Sequence, residues 1–371
     1  MTSRRLPPTF FATLVFLFTW LAYAQIPRYV MQTWKITGDE PHYLLAAHSI
    51  VHDGDFDLKN NYLDGDHREF YSSGFLDPHI KEQPDGTWLL SHDIGLPLIL
   101  APAYAWGKRL GVMQCLAFIG ALLAAQMFLL GWEVSGKLWA GALGWACLAF
   151  SAPVALYVFQ IYPEMIGGLI VLWAMRRILD TPAWLDPHTP TLPHALSVWE
   201  CGGVGVGIST LLWLSGRYIP LALFLLALFI WKNWASRARW IGLSATVIVS
   251  LGVYLAFNFT HFGGPTPATT AAGNAVSAGF GNVAGGQIGR GLAGWLFDQQ
   301  RGLFVFGPIL IAAIFGLPHL WRRRKLDGVL LLLPFAISWA VASVWGGFYI
   351  GWEISARFLI VGVPLLVAPL A

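Results

Sequence analysis

The chain has 371 residues, of which 56% are hydrophobic and only 12% charged. Repeated apolar stretches near 20 residues exclude an ordinary soluble domain and indicate an all-α polytopic membrane protein. The net charge of +3 is too small to imply a nucleic-acid partner.

Arg4 and Arg5 precede an apolar run over 10–26. Ala22-Tyr23-Ala24 resembles a signal-peptide cleavage site. The run is long and rich in Phe and Trp, so it reads better as a retained first helix. Either way, the polar segment after it is exported.

Gly38-Asp39-Glu40-Pro41 comes next, two adjacent carboxylates followed by a helical pattern in Tyr43, Ala47, Ile50 and Val51. Pro41 suits the first position of a helix. Acids there complement the helix dipole, so Asp39 and Glu40 fit a helix cap. They equally fit a catalytic carboxylate held at a membrane surface.

Residues 27–93 form a long polar loop with twelve of the 20 acidic residues and six of the ten histidines. Asp53-Gly54-Asp55-Phe56-Asp57 lacks the spacing and terminal Glu of an EF-hand and reads as a turn. His48 and His52 are four apart on one predicted helix face. With Asp39 or Glu40, His48 could supply ligands for a divalent cation, although solvent-facing polar positions explain the pair as well. Cys115, Cys147 and Cys201 lie in apolar stretches without metal-ligand spacing and read as small core residues.

Residues 94–107 are apolar but carry Pro97 and Pro102 and are short for a bilayer crossing. If they lie in the interface, the spans are 111–132, 138–159, 163–179, 199–215, 218–233, 240–258, 303–320, 328–344 and 358–371. Lys137, Arg176, Arg177, Lys232, Arg237, Arg239 and the basic run 322–325 then face the cytoplasm, as the positive-inside rule requires. The expectation is ten spans in one domain over 1–371, with a cytoplasmic N-terminus in a bacterial-type inner membrane. Two long loops, 27–110 and 259–302, face the periplasm, the first carrying interfacial helices. The chain stops at Ala371 inside an apolar run, so a short last span or a continuation is expected.

The loose dinucleotide pattern at 279–284 follows no strand and reads as a flexible loop. Glu164, in Tyr162-Pro163-Glu164, repeats the first motif: an acid beside a proline where a span begins. A first-turn acid and a functional acid at the mouth of a span both fit. Arg301 and Arg357 stand at outer re-entry points, and Glu353 with Arg357 has the spacing of a helical ion pair. Arginine binds phosphate through its planar fork. Outer arginines beside outer carboxylates suggest a substrate with a phosphate headgroup and a lipid tail.

With these residues the chain resembles the GT-C superfamily of membrane glycosyltransferases, such as protein O-mannosyltransferases and the lipid A aminoarabinose transferase. The resemblance rests on 38–43 after the first span, the second outer acid Glu164, and the aromatic, Gly-rich stretch from Trp345 to Arg357. It implies an active-site role for Asp39, with Glu40 beside it, and a polyprenyl-phosphate sugar as donor. His92 and Pro97 stand where relatives often carry a lysine and paired prolines. The chemistry of an outward-facing transfer then takes Asp39 as general base, Arg301, Arg357 and Arg217, with His92, as candidates around the donor phosphate, and one displacement that inverts the sugar carbon. The acceptor is a glycan, lipid or protein. A transporter or flippase of polyisoprenoid-linked sugars and a non-catalytic assembly protein are the competing classes.

Overall fold

A computed structural model describes residues 7–181, 197–265, 267, 288–344 and 356–371. Arg4, Arg5, the 279–284 pattern and Glu353 lie outside the described residues, as does all but the end of the 345–357 re-entry.

The chain is mainly helical. Its helices are α1 (Pro8–Tyr23), α2 (Ile26–Thr33), α3 (Glu40–His52), α4 (Lys59–Asp64), α5 (Gly95–Ser135), α6 (Leu138–Ala149), α7 (Val154–Tyr157) and α8 (Glu164–Ile178). They continue with α9 (Val198–Leu214), α10 (Ile219–Lys232), α11 (Arg237–Phe262), α12 (Ile288–Phe297), α13 (Leu303–Phe306), α14 (Ile311–Val344) and α15 (Val367–Leu370). Among the described residues, four helical stretches are long and apolar enough to cross a membrane: Pro8–Thr33, Gly95–Ser135, Arg237–Phe262 and Pro308–Val344.

The 41-residue α5 is the spine, packing against α1, α3, α6 and α8. It is two helices joined at a break. Gly107 and Lys108 leave helical geometry, with Lys108 at φ 51°, and the Lys108 ammonium pairs with Glu69. The segment before the break is the separate helix expected over 94–107. The segment after it, at 1.5 Å per residue, is about 40 Å long. Close approach of α5 and α6 depends on small residues, since a Cβ at Gly141 would meet the Phe128 carbonyl at 2.7 Å. α14 breaks similarly at Lys325 (φ 42°), in the basic run expected between two spans.

Two expectations change. The last span, 358–371, is not one helix. Short 3₁₀ turns at Arg357–Leu359 and Val363–Leu366 precede α15, where Gly362, Pro364 and Pro369 interrupt a continuous ladder. The fold is not wholly helical, because β1 (Ile80–Glu82) and β2 (Trp88–Leu90) form an antiparallel hairpin within the first polar loop. Its turn uses Pro84 and Asp85, with Gly86 at φ 89°. Arg176, counted among the charges facing the cytoplasm, is buried and pairs with Glu133, which also accepts from Thr181 Oγ1 at 2.6 Å.

Candidate active site

Asp39 reaches its position through a left-handed turn. Gly38 has φ 62°, and a Cβ there would meet the Tyr162 hydroxyl at 2.7 Å. Both facts favour glycine. Gly38→Ala should therefore cost about 1 kcal/mol or more and displace Tyr162; an unchanged Tm with unchanged activity would remove the turn from the site's design.

α3 follows with Glu40 and Pro41 in its first turn. Asp39 is the N-cap by position, and its carbonyl accepts from His42 N and Tyr43 N at 3.1 Å each. Its side chain makes no cap bond. The carboxylate faces the two histidines and Arg357 instead, so Asp39 caps α3 by its backbone and not by its side chain.

Its partners come from the hairpin. His79 lies just before β1 and His92 just after β2. Ser91 N and Ser91 Oγ both donate to the His79 carbonyl, at 3.0 and 2.9 Å, closing the hairpin base. His79 Nδ1 and His92 Nε2 then lie 3.6 and 3.5 Å from Asp39 Oδ1. Arg357 Nη2 lies 3.6 Å from Asp39 Oδ2. Burial alone would raise the Asp39 pKa, but the two imidazoles and the Arg357 charge hold it well below the usual carboxylate range. His42 stacks on His79 at 3.9 Å and meets the Tyr62 hydroxyl at 2.7 Å. Burial, helped by His79 and His92, pushes the His42 pKa down to about 3.

Glu164 opens α8 and is 1% exposed. One oxygen, Oε1, accepts from Arg357 Nε at 3.0 Å and from Arg217 Nη2 at 3.4 Å. Arg357 thus bridges the two acids that the sequence singled out. Each guanidinium also lies over a ring: Arg357 over Tyr162 at 3.6 Å and Arg217 over Phe358 at 3.8 Å. Among the described residues, Arg217 Nη1, Glu164 Oε2 and the Tyr218 hydroxyl are buried without a hydrogen-bond partner.

Two further carboxylates assemble this arrangement. Glu40 Oε1 accepts from Ile161 N at 2.8 Å, pinning the strand of chain before Glu164 to the start of α3. Burial pushes the Glu40 pKa up, against that bond and the charge of Arg109. Asp93, next to His92, accepts from Gly216 N at 2.9 Å and from the Tyr254 hydroxyl at 3.0 Å. It ties the hairpin exit to the turn that carries Arg217.

No protein-family model matches the chain, and no curated protein matches it. Among solved structures it is similar to the archaeal oligosaccharyltransferase AglB from Archaeoglobus fulgidus in complex with an inhibitory peptide and a dolichol-phosphate. That likeness has 12% identity and a TM-score of 0.49, over 96% of this chain and 50% of that one. The apo form of the Archaeoglobus fulgidus oligosaccharyltransferase gives 11% identity and a TM-score of 0.49, with the same coverage. The chain spans about half the length of these structures.

Of the remaining predicted residues, Arg301 meets the site through its backbone. Its carbonyl accepts from Ala356 N at 2.7 Å, holding the residue before Arg357. His48 stands elsewhere. Its ring faces Asp66 and Glu69, at 3.6 and 3.9 Å, and the Tyr104 hydroxyl at 3.0 Å. His48 therefore does not share a ligand set with Asp39 and Glu40. Among the described residues, the group that could hold a cation is Asp39, His79 and His92, whose ligand atoms all lie within 4.8 Å of one another. His79 is the member that sequence reasoning misses, because nothing local in the chain links it to Asp39.

The donor set fits a divalent ion of borderline softness, since imidazole suits zinc better than calcium or magnesium. The approach of His79 Nδ1 and His92 Nε2 to one carboxylate oxygen of Asp39, at 3.6 and 3.5 Å, supports that fit. Such an ion would polarise a bound hydroxyl or amine. The arginine side can bind a phosphate, and the histidine side can orient a nucleophile.

Proposed function

We propose that the chain is a membrane glycosyltransferase. It moves a sugar from a polyprenyl-phosphate donor to a glycan, lipid or protein acceptor on the exported side of the bilayer. The observation that supports this most is the bridge through Arg357, which joins an acid flanked by histidines to an acid flanked by arginines. The likeness of 38–43 to the GT-C motif points the same way.

In this reading the donor phosphate takes the Arg217 side, where a guanidinium nitrogen and the Tyr218 hydroxyl stand unpaired among the described residues. An acceptor oxygen or nitrogen attacks the anomeric carbon opposite the phosphate. The carbon–oxygen bond to phosphate breaks with its electron pair on the phosphate, which positive charge stabilises without a proton donor. The acceptor proton passes to the group formed by Asp39, His79 and His92. Asp39 itself, held so strongly ionised, serves better to orient the imidazoles than as the final proton acceptor. A single displacement inverts the sugar carbon.

Purified protein incubated with a panel of polyprenyl-phosphate sugars and acceptors should release free polyprenyl phosphate. Arg217→Lys keeps the charge but loses the fork, so its donor KM should rise with the fold intact. No release across the panel overturns the donor class.

Orientation follows from the charge asymmetry. In a background without the three native cysteines, cysteine at exposed Asp64 should react with an impermeant thiol reagent in intact cells, and cysteine at Lys137 or Arg237 should not. Labelling at 137 from outside reverses the assignment of sides, and with it the ten-span layout.

A further inference from the structure

A groove of about 570 Å³ lies between the α1–α2 corner and α5, apart from the Asp39 cluster. It arises from two local features. The break at Gly107 and Lys108 offsets the first part of α5 from the second, and the chain turns at Ala24 and Gln25 between α1 and α2. Gly111 makes the tight packing behind the break feasible, because a Cβ there would meet the Ala103 carbonyl at 2.2 Å. The volume falls in the range of small-molecule sites.

Its lining is apolar along its length and charged at one point. Trp20, Ala103, Leu110, Cys115 and Phe118 form the walls, and Arg28 is the single charged residue among the described lining. The two lining amides are engaged within the fold. Gln25 Nε2 donates to the Leu21 carbonyl at 3.2 Å and Gln114 Nε2 to the Ala24 carbonyl at 2.9 Å. Arg28 is exposed and makes no ion pair or hydrogen bond among the described residues. The groove opens sideways. Trp106, 84% exposed, stands at its rim, and Trp20 and Phe118 are also exposed. Tryptophans beside an apolar span mark the headgroup level of a bilayer. The occupant therefore enters from the membrane, carries an apolar chain, and presents negative charge to Arg28.

We infer that this groove binds one anionic phospholipid of the surrounding leaflet, with its acyl chain along α5 and its phosphate at Arg28. The site is independent of the proposed transferase reaction. It would fill the space that the offset of α5 leaves beside the break at Gly107.

The test uses the full chain in mixed micelles containing equal amounts of phosphatidylglycerol and phosphatidylcholine, with retained lipid read by native mass spectrometry. The wild type should retain one phosphatidylglycerol with a preference of about fivefold, the selectivity that one basic residue confers at a lipid surface. Arg28→Gln, an exposed substitution that leaves the fold unchanged, should abolish the preference. Cys115→Trp should fill the groove and abolish retention of both lipids. Bound lipid should also slow maleimide labelling of wild-type Cys115. Equal retention of the two lipids by the wild type overturns the inference, as does unchanged selectivity in Arg28→Gln. Displacement of phosphatidylglycerol by equimolar polyprenyl phosphate would overturn it in favour of a donor-lipid site.

Discussion

Asp39→Asn is expected to lower sugar transfer by roughly 10²–10⁴-fold, the range of general acid–base catalysis, because the imidazoles that take the acceptor proton lose the carboxylate that orients them. The substitution keeps shape but turns one acceptor oxygen into an N–H donor and removes the charge. Asp39 makes no side-chain cap bond, so helix α3 has none to lose. The variant lacks the charge, and one of the two acceptor oxygens, that face His79, His92 and Arg357. Without it the imidazoles lose their orienting partner, and the candidate cation group loses its only carboxylate. Calorimetry with Zn²⁺ should therefore show binding by the wild type, and loss of that binding in both Asp39→Asn and His92→Ala. Transfer is measured from a lipid-linked donor, normalised to folded protein by size-exclusion profile. Full transfer by Asp39→Asn would falsify the catalytic assignment.

Glu164→Ala should be the most destabilising change at the site, by about 3–5 kcal/mol. A single buried oxygen of Glu164 holds both Arg357 and Arg217. Removing the carboxylate takes the ion-pair partner from the partly buried Arg217 and leaves the buried Arg357 facing Asp39 alone of the two acids. Their aromatic partners, Tyr162 and Phe358, offset only part of that cost. Glu164→Gln should be milder in stability, because an amide oxygen can still accept, yet it loses the charge that sets the two arginines. Thermal unfolding in one detergent separates the cases. An unchanged Tm for Glu164→Ala would mean that the arginines are satisfied without it, and that the bridge between the acids is incidental.

Class and much of the local structure are legible in the residues alone. Apolar run length and the prolines mark the helices, since periodicity and breaker residues act within a few positions of the chain. The separate helix before the main span of α5 is readable this way, and so are the helix-start positions of Asp39, Glu40 and Glu164. The same short range explains the misreadings. His48 draws attention because its spacing from His52 is local, yet its ring turns toward Asp66 and Glu69. The cap reading of Asp39 is equally local and ignores the competing partners. Those partners are set by the folded arrangement. The hairpin has three residues per strand, too few for an alternating signal, and its pairing brings His79 beside His92. Arg357 and Arg217 reach Glu164 across 193 and 53 residues of chain. Such contacts depend on helix packing around α5 and on the two pins, Glu40 to Ile161 and Asp93 to Gly216. Residue types at short spacing carry no trace of them, because the energy that fixes them is buried charge satisfied at long range.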